Sequence, residues 1–171
     1  MAGYIFCVMT TKPTRTVRLD PMTPDEYRPW RAKVNSLYAT AQVNEGHWAV
    51  ETAQQQAWHV TEGLLPLGPE TPGQHLWIAR DPDTEQRVGA LWIAMRTAGI
   101  GIEAFIYDIY VEDELQGGGY GRAIMVAAAA ASRALGAATV ALNVHGNNER
   151  AFQLYKSLGY GVTNLHMRLG L

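Results

Sequence analysis

Cysteine is almost missing from this sequence, because Cys7 is the only one among its 171 residues. A single cysteine allows no intramolecular disulfide framework and no zinc site built on thiolates. The five histidines are dispersed, with no two of them at the short spacing of a metal site, so we expect no bound metal. The sequence therefore predicts a metal-free protein of a reducing compartment, which we take to be the cytoplasm.

Runs of basic residues and long apolar runs are missing as well. The 14 Lys and Arg against 16 Asp and Glu give a net charge of −2, and the basic residues do not cluster, which disfavours a nucleic-acid partner. The apolar patch at residues 4–9 has no basic segment before it and is too short for a signal peptide or a membrane span. We expect a disordered tail over residues 1–16 and one domain over residues 17–171.

Hydrophobic periodicity predicts an α/β (α+β) fold. Helices are expected over residues 24–45, from about residue 48, after the break at Gly46, to about 65, from the glycine turn at residue 121 to 136, and over residues 148–159. Strands are expected at residues 17–19, 75–80, 87–96, 103–111, 139–144 and 161–169, the second to fourth forming an antiparallel meander. The prediction is a mixed, mostly antiparallel sheet of six to seven strands flanked by about four helices.

Glycine is concentrated in one turn between a predicted strand and a predicted helix, Gly117-Gly118-Gly119-Tyr120-Gly121. Free backbone N–H groups and the positive end of a helix dipole make such a turn an anion site. A P-loop is excluded because no lysine is near, and a dinucleotide-binding fingerprint is excluded because its third glycine is missing. The alternative is a flexible turn without a ligand, which so many small residues would make costly.

Two motifs resemble the signatures of the GCN5-related N-acetyltransferase (GNAT) superfamily. The first is Gln116-x-x-Gly119-x-Gly121, and the second is Asn148-x-x-Ala151-x-x-Leu154-Tyr155-x-x-x-Gly159-Tyr160, which usually ends in Gly-Phe. The resemblance implies a GNAT-like fold with acetyl-CoA bound on the glycine turn and along the preceding strand. It implies the cofactor-binding residues Ile109, Tyr110, Val111, Gln116, Gly117, Gly118, Gly119, Tyr120, Gly121, Arg122 and Asn148.

One departure from the family pattern lies in the glycine turn. The family usually has Arg or Lys where this chain has Gly118, so one cationic contact to the cofactor phosphates is lost, and Arg122 is the candidate to replace it. Asn148 also has a second interpretation, since an asparagine at the start of a helix is favoured as its cap.

The resemblance also implies candidate catalytic residues. Tyr155 matches the family position that protonates the leaving thiolate, although a tyrosine on an apolar helix face is equally typical of a core. Asp108 stands in an apolar strand and is therefore either the general base or a paired buried carboxylate. Glu103 is the second candidate base, some family members use ordered water instead, and His166 is a candidate for the acceptor site.

The predicted function is an acetyl-CoA-dependent N-acetyltransferase acting on a primary amine of a small molecule or peptide. The alternative is a non-catalytic CoA-binding sensor or scaffold, and a longer acyl chain, a hydroxyl acceptor and a homodimer stay open. The first third resembles a bacterial subgroup with an extended helical N-terminal part. Its aromatic residues are expected either to line the acceptor cleft or to form core or a dimer surface. They are Tyr27, Trp30, Tyr38, Trp48 and Trp58, and the polar residues Asn35, Gln42 and Glu45 are expected to lie exposed between them.

Overall fold

The computed structural model describes residues 15–99 and 101–169. Within them the chain forms five strands: β1 Arg18–Pro21, β2 Gln74–Arg80, β3 Arg87–Ala98, β4 Gly101–Val111 and β5 Thr139–Leu142. It also forms four α-helices: α1 Pro24–Asn44, α2 Val50–Leu64, α3 Tyr120–Ala134 and α4 Glu149–Ser157. Short 3₁₀ turns occur at Gly68–Glu70 and Asp113–Leu115. Among the helices described, none is both long and apolar enough to span a lipid bilayer.

The five strands lie side by side in chain order, and all neighbouring pairs but the last are antiparallel. β5 runs parallel to β4 but pairs only with its first half, Glu103–Ile106. The second half, Tyr107–Val111, pairs with β3 alone among the described residues. One edge of that half-strand is therefore left without a neighbouring strand.

A β-bulge lies where the pairing with β5 ends. The β3–β4 register passes from Ile93 opposite Ile106 to Trp92 opposite Asp108, so Tyr107 is the inserted residue. An inserted residue reverses which side chains face each side of the sheet. Ile106 packs in the core on the α3 side, and after the bulge it is Ile109 that packs there.

The sheet is buried on both faces. On one face, Leu91 and Ile93 of β3 pack with Ile124 and Met125 of α3. On the other, Ala90 and Trp92 of the same strand pack with aromatic and aliphatic side chains of α1, namely Tyr27, Trp30 and Val34. Helix α2 packs along α1 through small residues, Ala53 and Ala57 against Ala39. α1 thus contacts both the sheet and α2.

Helix α1 begins at a capping box. The Glu26 backbone N–H donates to Thr23 Oγ1 at 3.3 Å, and the Thr23 N–H donates to Glu26 Oε2 at 3.0 Å. Pro24 occupies the first helical turn, where its missing N–H costs nothing. The helix ends before Gly46, whose φ of +69° suits a glycine. These are the start and end that the sequence predicts.

The four helices and the antiparallel meander are confirmed, but the last predicted strand is wrong. Residues 161–169 are irregular and lie outside the sheet, with Leu165 74% and Met167 88% exposed. Alternating apolar residues indicate a strand only where a neighbouring strand can pair with them, and the described residues provide none here. Within the part of the chain that the structure describes, the sheet therefore has five strands rather than six or seven. Of the expected tail, residues 1–14 lie outside the described residues.

Gly89 of β3 allows β3 and β4 to approach closely, because a Cβ at this position would overlap the Tyr110 carbonyl oxygen. We expect Gly89→Ala to force the strands apart and to lower the free energy of unfolding by about 2–3 kcal/mol. Gly63→Ala is the matched control: Gly63 lies in α2, and a methyl group added there would meet no atom within 4 Å, so alanine should add about 0.5–1 kcal/mol. Urea unfolding measures both, and equal stabilities for Gly89→Ala and wild type would contradict the close approach.

Candidate active site

A groove of about 440 Å³ lies between the second half of β4, the glycine turn and α4. Its lining includes most of the residues singled out from the sequence: Ile109, Tyr110, Val111, Gln116, Gly117, Gly119, Gly121, Arg122, Asn148 and Tyr155. Arg150, Ala151 and Leu154 of α4 complete it. Residues from two motifs about 30 positions apart thus line one groove.

The glycine turn has a backbone that other residues adopt with difficulty. Gly117 and Gly119 have φ of +79° and +96°, in the left-handed region. Gly119 is the N-cap of α3, so no side chain caps the first-turn N–H groups of that helix. At Gly121 a Cβ would lie 3.5 Å from Leu154 and 3.8 Å from Val111, so any larger group would enter the groove. The turn therefore has the form of a backbone anion site at a helix start.

Two expected residues of the turn do not line this groove. The Tyr120 side chain is buried and its hydroxyl donates to Asp81 Oδ2 at 2.6 Å, which lowers the pKa of that carboxyl. The Gly118 N–H donates to the Leu115 carbonyl at 3.2 Å. Arg15 covers the outer side, with its guanidinium 5.0 Å from the Tyr120 ring centre. These contacts fix the turn to the β2–β3 hairpin, which carries Asp81.

Arginines flank the turn from α3 and α4. Arg122 Nη2 donates to Ser157 Oγ at 2.5 Å, which directs this side chain along α4. Arg150 Nη2 lies 3.5 Å from the point where a Cβ on Gly117 would sit, so its guanidinium stands over the turn. Sequence reasoning missed Arg150. The available signal was its position two residues after Asn148, at the same end of the helix.

Asn148 caps α4, since its Oδ1 accepts the Ala151 N–H at 3.1 Å. The capping interpretation is therefore correct, and the same residue also lines the groove. In β4, Ile109 and Val111 pack against the core on the α3 side, whereas Tyr110 lies on the α1 side with Lys33 Nζ 4.1 Å from its ring centre. All three residues line the groove, and they lie in the half of β4 that pairs with β3 alone among the described residues.

Tyr155 lies between two grooves. It lines the groove described above and a second one of about 600 Å³, bounded by β5, α4 and residues 160–166, where His166 is found. Its ring packs against the core and lies 5.9 Å from that of Tyr160. Burial, with smaller contributions from Tyr160 and Asp108, raises the pKa of its phenol. Tyr155 thus keeps its proton at neutral pH while reaching both spaces.

Asp108 follows the bulge and faces α1. Its Oδ2 accepts a hydrogen bond from Trp30 Nε1 at 3.2 Å. Burial raises the pKa of this carboxyl to about 6, opposed by the Trp30 hydrogen bond and the charge of Lys33. The other candidate base, Glu103, lies before the bulge and is paired with Arg96 at 2.8 Å. Of the two carboxylates, Asp108 is the one without a salt-bridge partner within 4 Å among the described residues.

The aromatic residues of the N-terminal helices divide between core and surface. Tyr27 and Trp30 are buried, and Tyr38 packs on Trp48 at 5.1 Å. Trp58 is 39% exposed with the Arg31 guanidinium 4.3 Å from its ring. The core interpretation therefore holds for Tyr27 and Trp30.

The expectation that Asn35 is exposed is wrong. It is fully buried, with neither amide atom hydrogen-bonded to a described residue. α1 has a second buried face because α2 packs along it. An asparagine in the sequence predicts exposure, so the burial of Asn35 could not be predicted from its residue type. Gln42 and Glu45 are partly exposed, and Glu45 accepts from His145 Nδ1 of the β5–α4 loop and, through its carbonyl, from Arg168.

The described residues contain no group of three or more His, Cys, Asp or Glu placed to hold a metal ion. The groove is therefore lined by a backbone anion-binding turn, an unpaired strand edge and a protonated phenol, whereas the Asp108 carboxylate lies on the α1 side of β4 and lines neither groove. The groove can bind a phosphate-bearing ligand and donate a proton beside it, and Asp108, which interacts electrostatically with Tyr155, is a nearby proton acceptor.

Comparisons with known proteins agree with this arrangement. The chain is 34% identical over 152 residues to an uncharacterized N-acetyltransferase of Bacillus subtilis (strain 168), YycN, covering 89% of this chain and 97% of that protein. The crystal structure of YycN superposes with a TM-score of 0.85 over 91% of this chain and 99% of that one. An acetyltransferase structure from Pyrococcus furiosus, 21% identical, has a TM-score of 0.67 and supports the fold alone.

A third relative is the mycothiol acetyltransferase of Beutenbergia cavernae, 28% identical over 142 residues. The match covers 78% of this chain but 47% of that protein. The profile of the family described as "Acetyltransferase (GNAT) family" matches residues 33–160, well over half of the chain. The chain therefore belongs to the GNAT family of acetyltransferases.

Proposed function

We propose that this acetyltransferase uses acetyl-CoA and acetylates a primary amine by direct attack of the amine nitrogen on the thioester carbonyl. The observation that carries the proposal is that the glycine turn, the unpaired edge of β4 and Tyr155 line one groove. Acetyl-CoA supplies the activated acetyl group as a thioester. The chain's residues then have to hold the phosphates, orient the carbonyl and manage two protons.

The glycine turn fits the pyrophosphate of this cosubstrate. Gly117 and Gly119 supply the left-handed backbone, the start of α3 supplies N–H groups and the positive dipole end, and Gly121 leaves space that a side chain would fill. Gln116 lies beside this turn, while the Gly118 N–H is already bonded. Arg150 provides the positive charge that Gly118 does not.

The unpaired edge of β4 at Ile109–Val111 is suited to the pantetheine and the thioester carbonyl. Backbone N–H groups fixed in a strand donate without reorganisation, which favours a carbonyl oxygen on which negative charge develops. The edge is unpaired because β5 pairs with β4 only as far as Ile106. The same break in pairing leaves this edge available to an extended pantetheine chain.

Two side chains are proposed to transfer the protons. Tyr155 donates its phenolic proton to the leaving thiolate, and its raised pKa keeps that proton available at neutral pH. Asp108 accepts a proton from the acceptor ammonium, and a pKa of about 6 makes it a stronger base than an ordinary aspartate while it remains ionised at pH 7. The C–N bond forms as the C–S bond breaks, and the attacking nitrogen then loses its second proton to the Tyr155 phenolate, which regenerates the phenol while the first proton remains on Asp108.

The acceptor is proposed to be an amine of a small molecule or a peptide, reaching Tyr155 from the second groove. We place the reaction in the cytoplasm, since the single cysteine suits a reducing compartment. The second candidate function is a CoA-binding module without turnover. The two functions differ in one measurable respect, the release of free CoA thiol in the presence of amines.

The first experiment combines binding with turnover. We expect millimolar acetyl-CoA to raise the melting temperature of the wild type, because a ligand at about 100 times its Kd stabilises the folded state by about 2.7 kcal/mol. Gly119→Glu and Gly121→Glu should abolish this shift through bulk and like charge. Thiol release is then measured with a panel of primary amines. No thermal shift would contradict cosubstrate binding, and a shift without thiol release from any amine would favour the non-catalytic module.

Arg150→Ala should raise the KM for acetyl-CoA about tenfold with little change in kcat, since one charge-assisted contact to a phosphate is lost. Arg133→Ala is the matched control, because Arg133 is an exposed arginine in the last turn of α3, away from the groove. Steady-state kinetics against acetyl-CoA measures the effect. Equal KM values for the two variants would remove Arg150 from the phosphate site.

Tyr155→Phe keeps the ring and removes the hydroxyl, so we expect turnover to fall by about 10²–10³-fold while the Kd for CoA changes little. Tyr38→Phe is the control. Tyr38 is another partly buried tyrosine, and burial raises the pKa of its phenol as well, but it lies in α1 and packs on Trp48. Turnover and thermal stability are measured for both. A fully active Tyr155→Phe enzyme would leave Tyr155 a core residue only.

A further inference from the structure

Asp108 is held from one side by helix α1. The indole Nε1 of Trp30 donates to its Oδ2 at 3.2 Å, and no described hydrogen bond reaches its Oδ1. The residue opposite Asp108 across the β3–β4 ladder is Trp92, whose own indole N–H donates to Gln74 Oε1 at 2.7 Å. Two indoles therefore lie next to the carboxylate, but only that of Trp30 bonds to it.

Trp30 is a rigid donor. It is 1% exposed, its ring meets that of Trp92 edge-on with centres 5.7 Å apart, and Tyr27 packs on it at the same separation. A buried indole N–H needs an acceptor, and a side chain packed on two rings has one conformation available. The position of the Asp108 carboxylate is thus fixed by the packing of α1 on the sheet.

The charged and titratable groups that face Asp108 come from three elements. Lys33 of α1 lies one turn after Trp30, with Nζ 3.4 Å from Glu112 Oε2, and its charge acts on Asp108. Tyr110 of β4 and Tyr155 of α4 also interact electrostatically with Asp108. None of these groups forms an ion pair with Asp108 within 4 Å, so the neutral Trp30 N–H is its hydrogen-bond donor among the described residues.

We propose that Trp30 is a positioning residue for the proton transfer: its N–H holds Oδ2 of Asp108 and leaves Oδ1 to take the proton of the acceptor ammonium. This inference rests on the proposed function. One N–H bond of the ammonium breaks, an O–H bond forms on Oδ1, and the neutral amine keeps the electron pair that attacks the carbonyl.

The choice of a neutral donor has a chemical reason. An arginine or lysine bound directly to the carboxylate would stabilise the ionised form and lower its pKa by about 1–3 units, which would weaken it as a base. A single neutral N–H at 3.2 Å orients the carboxylate with a smaller effect on its basicity. Trp30 therefore fixes the geometry while burial keeps the carboxylate basic.

The pH dependence of kcat/KM distinguishes a positioning role of Trp30 from a packing role. Trp30→Phe removes the N–H but keeps an aromatic ring, so the acidic limb of kcat/KM should move upward by about one pH unit as the ionised carboxylate loses its donor. Trp92→Phe is the matched control, a buried indole of the same cluster whose N–H bonds to Gln74. It should lower stability without moving the limb. The acceptor is the best amine of the panel, so its own ionisation is common to all variants.

A second readout needs neither acceptor nor turnover. Protonation of Asp108 changes the surroundings of the Trp30 indole, so wild-type tryptophan emission should titrate with a midpoint of about 6. His75 stacks on Trp77 and can add a titration of its own, so the Asp108 signal is the difference between a protein with and without Asp108→Asn. This difference should be largely lost in Trp30→Phe, retained in Trp92→Phe, and shifted upward in Lys33→Met, where a favourable charge is removed.

The outcomes are distinguishable. If Trp30→Phe and Trp92→Phe lose equal stability and both keep the wild-type acidic limb, or if Asp108→Asn leaves the emission titration unchanged, Trp30 is a packing residue and the inference is wrong. If no amine of the panel is acetylated, the proposed function fails, and the emission titration still decides whether Trp30 holds Asp108. Circular dichroism melting of each variant shows whether Trp30→Phe is folded at the assay temperature.

Discussion

The bulge at Tyr107 determines which side chains in the second half of β4 face α3 and which face α1. Before it, Ala104 and Ile106 face α3, and β4 pairs with strands on both edges. After it, Ile109 and Val111 face α3, and one edge is unpaired. Without the inserted residue, Asp108 would share the face of Ile106 and would lie in the apolar core under α3. One extra residue therefore turns a carboxylate toward α1 at the point where the pairing with β5 ends.

Burial raises the pKa of both proposed proton carriers, but the consequence for proton transfer is opposite in the two groups. It raises the pKa of Tyr155, which makes the phenol hold its proton, and it raises the pKa of Asp108 to about 6, which makes the carboxylate more basic. Uncompensated burial would raise the pKa of Asp108 further. The Trp30 hydrogen bond and the Lys33 charge oppose that shift. The Tyr155 phenol therefore requires only an apolar environment, whereas the Asp108 carboxylate requires both an apolar environment and a hydrogen-bond donor.

Sequence reasoning located what depends on local chemistry. The capping box at Thr23 and the glycine turn are specified by residues within a few positions of one another, and the elements they bound were predicted. It failed where a residue's role depends on distant neighbours. The bulge leaves no signal because the strand around it is almost wholly apolar, Asn35 is buried by α2, and the segment at 161–169 alternates without a partner strand. Arg150 matters only because α4 faces the glycine turn.

Helix α1 contacts elements on both sides of the point where β4 and β5 separate. Its first turn is fixed at β1 and β2, where Glu26 pairs with Arg80 at 2.5 Å, and its middle is bonded to β4 through Trp30 and Asp108. Just beyond its last turn, Glu45 contacts His145 in the loop between β5 and α4. A helix of 21 residues is about 31 Å long and nearly rigid, so it joins both sides of the gap between β4 and β5. Its contacts with Asp108 and with His145 thus link β4 to the loop that follows β5, the two elements beside Tyr155.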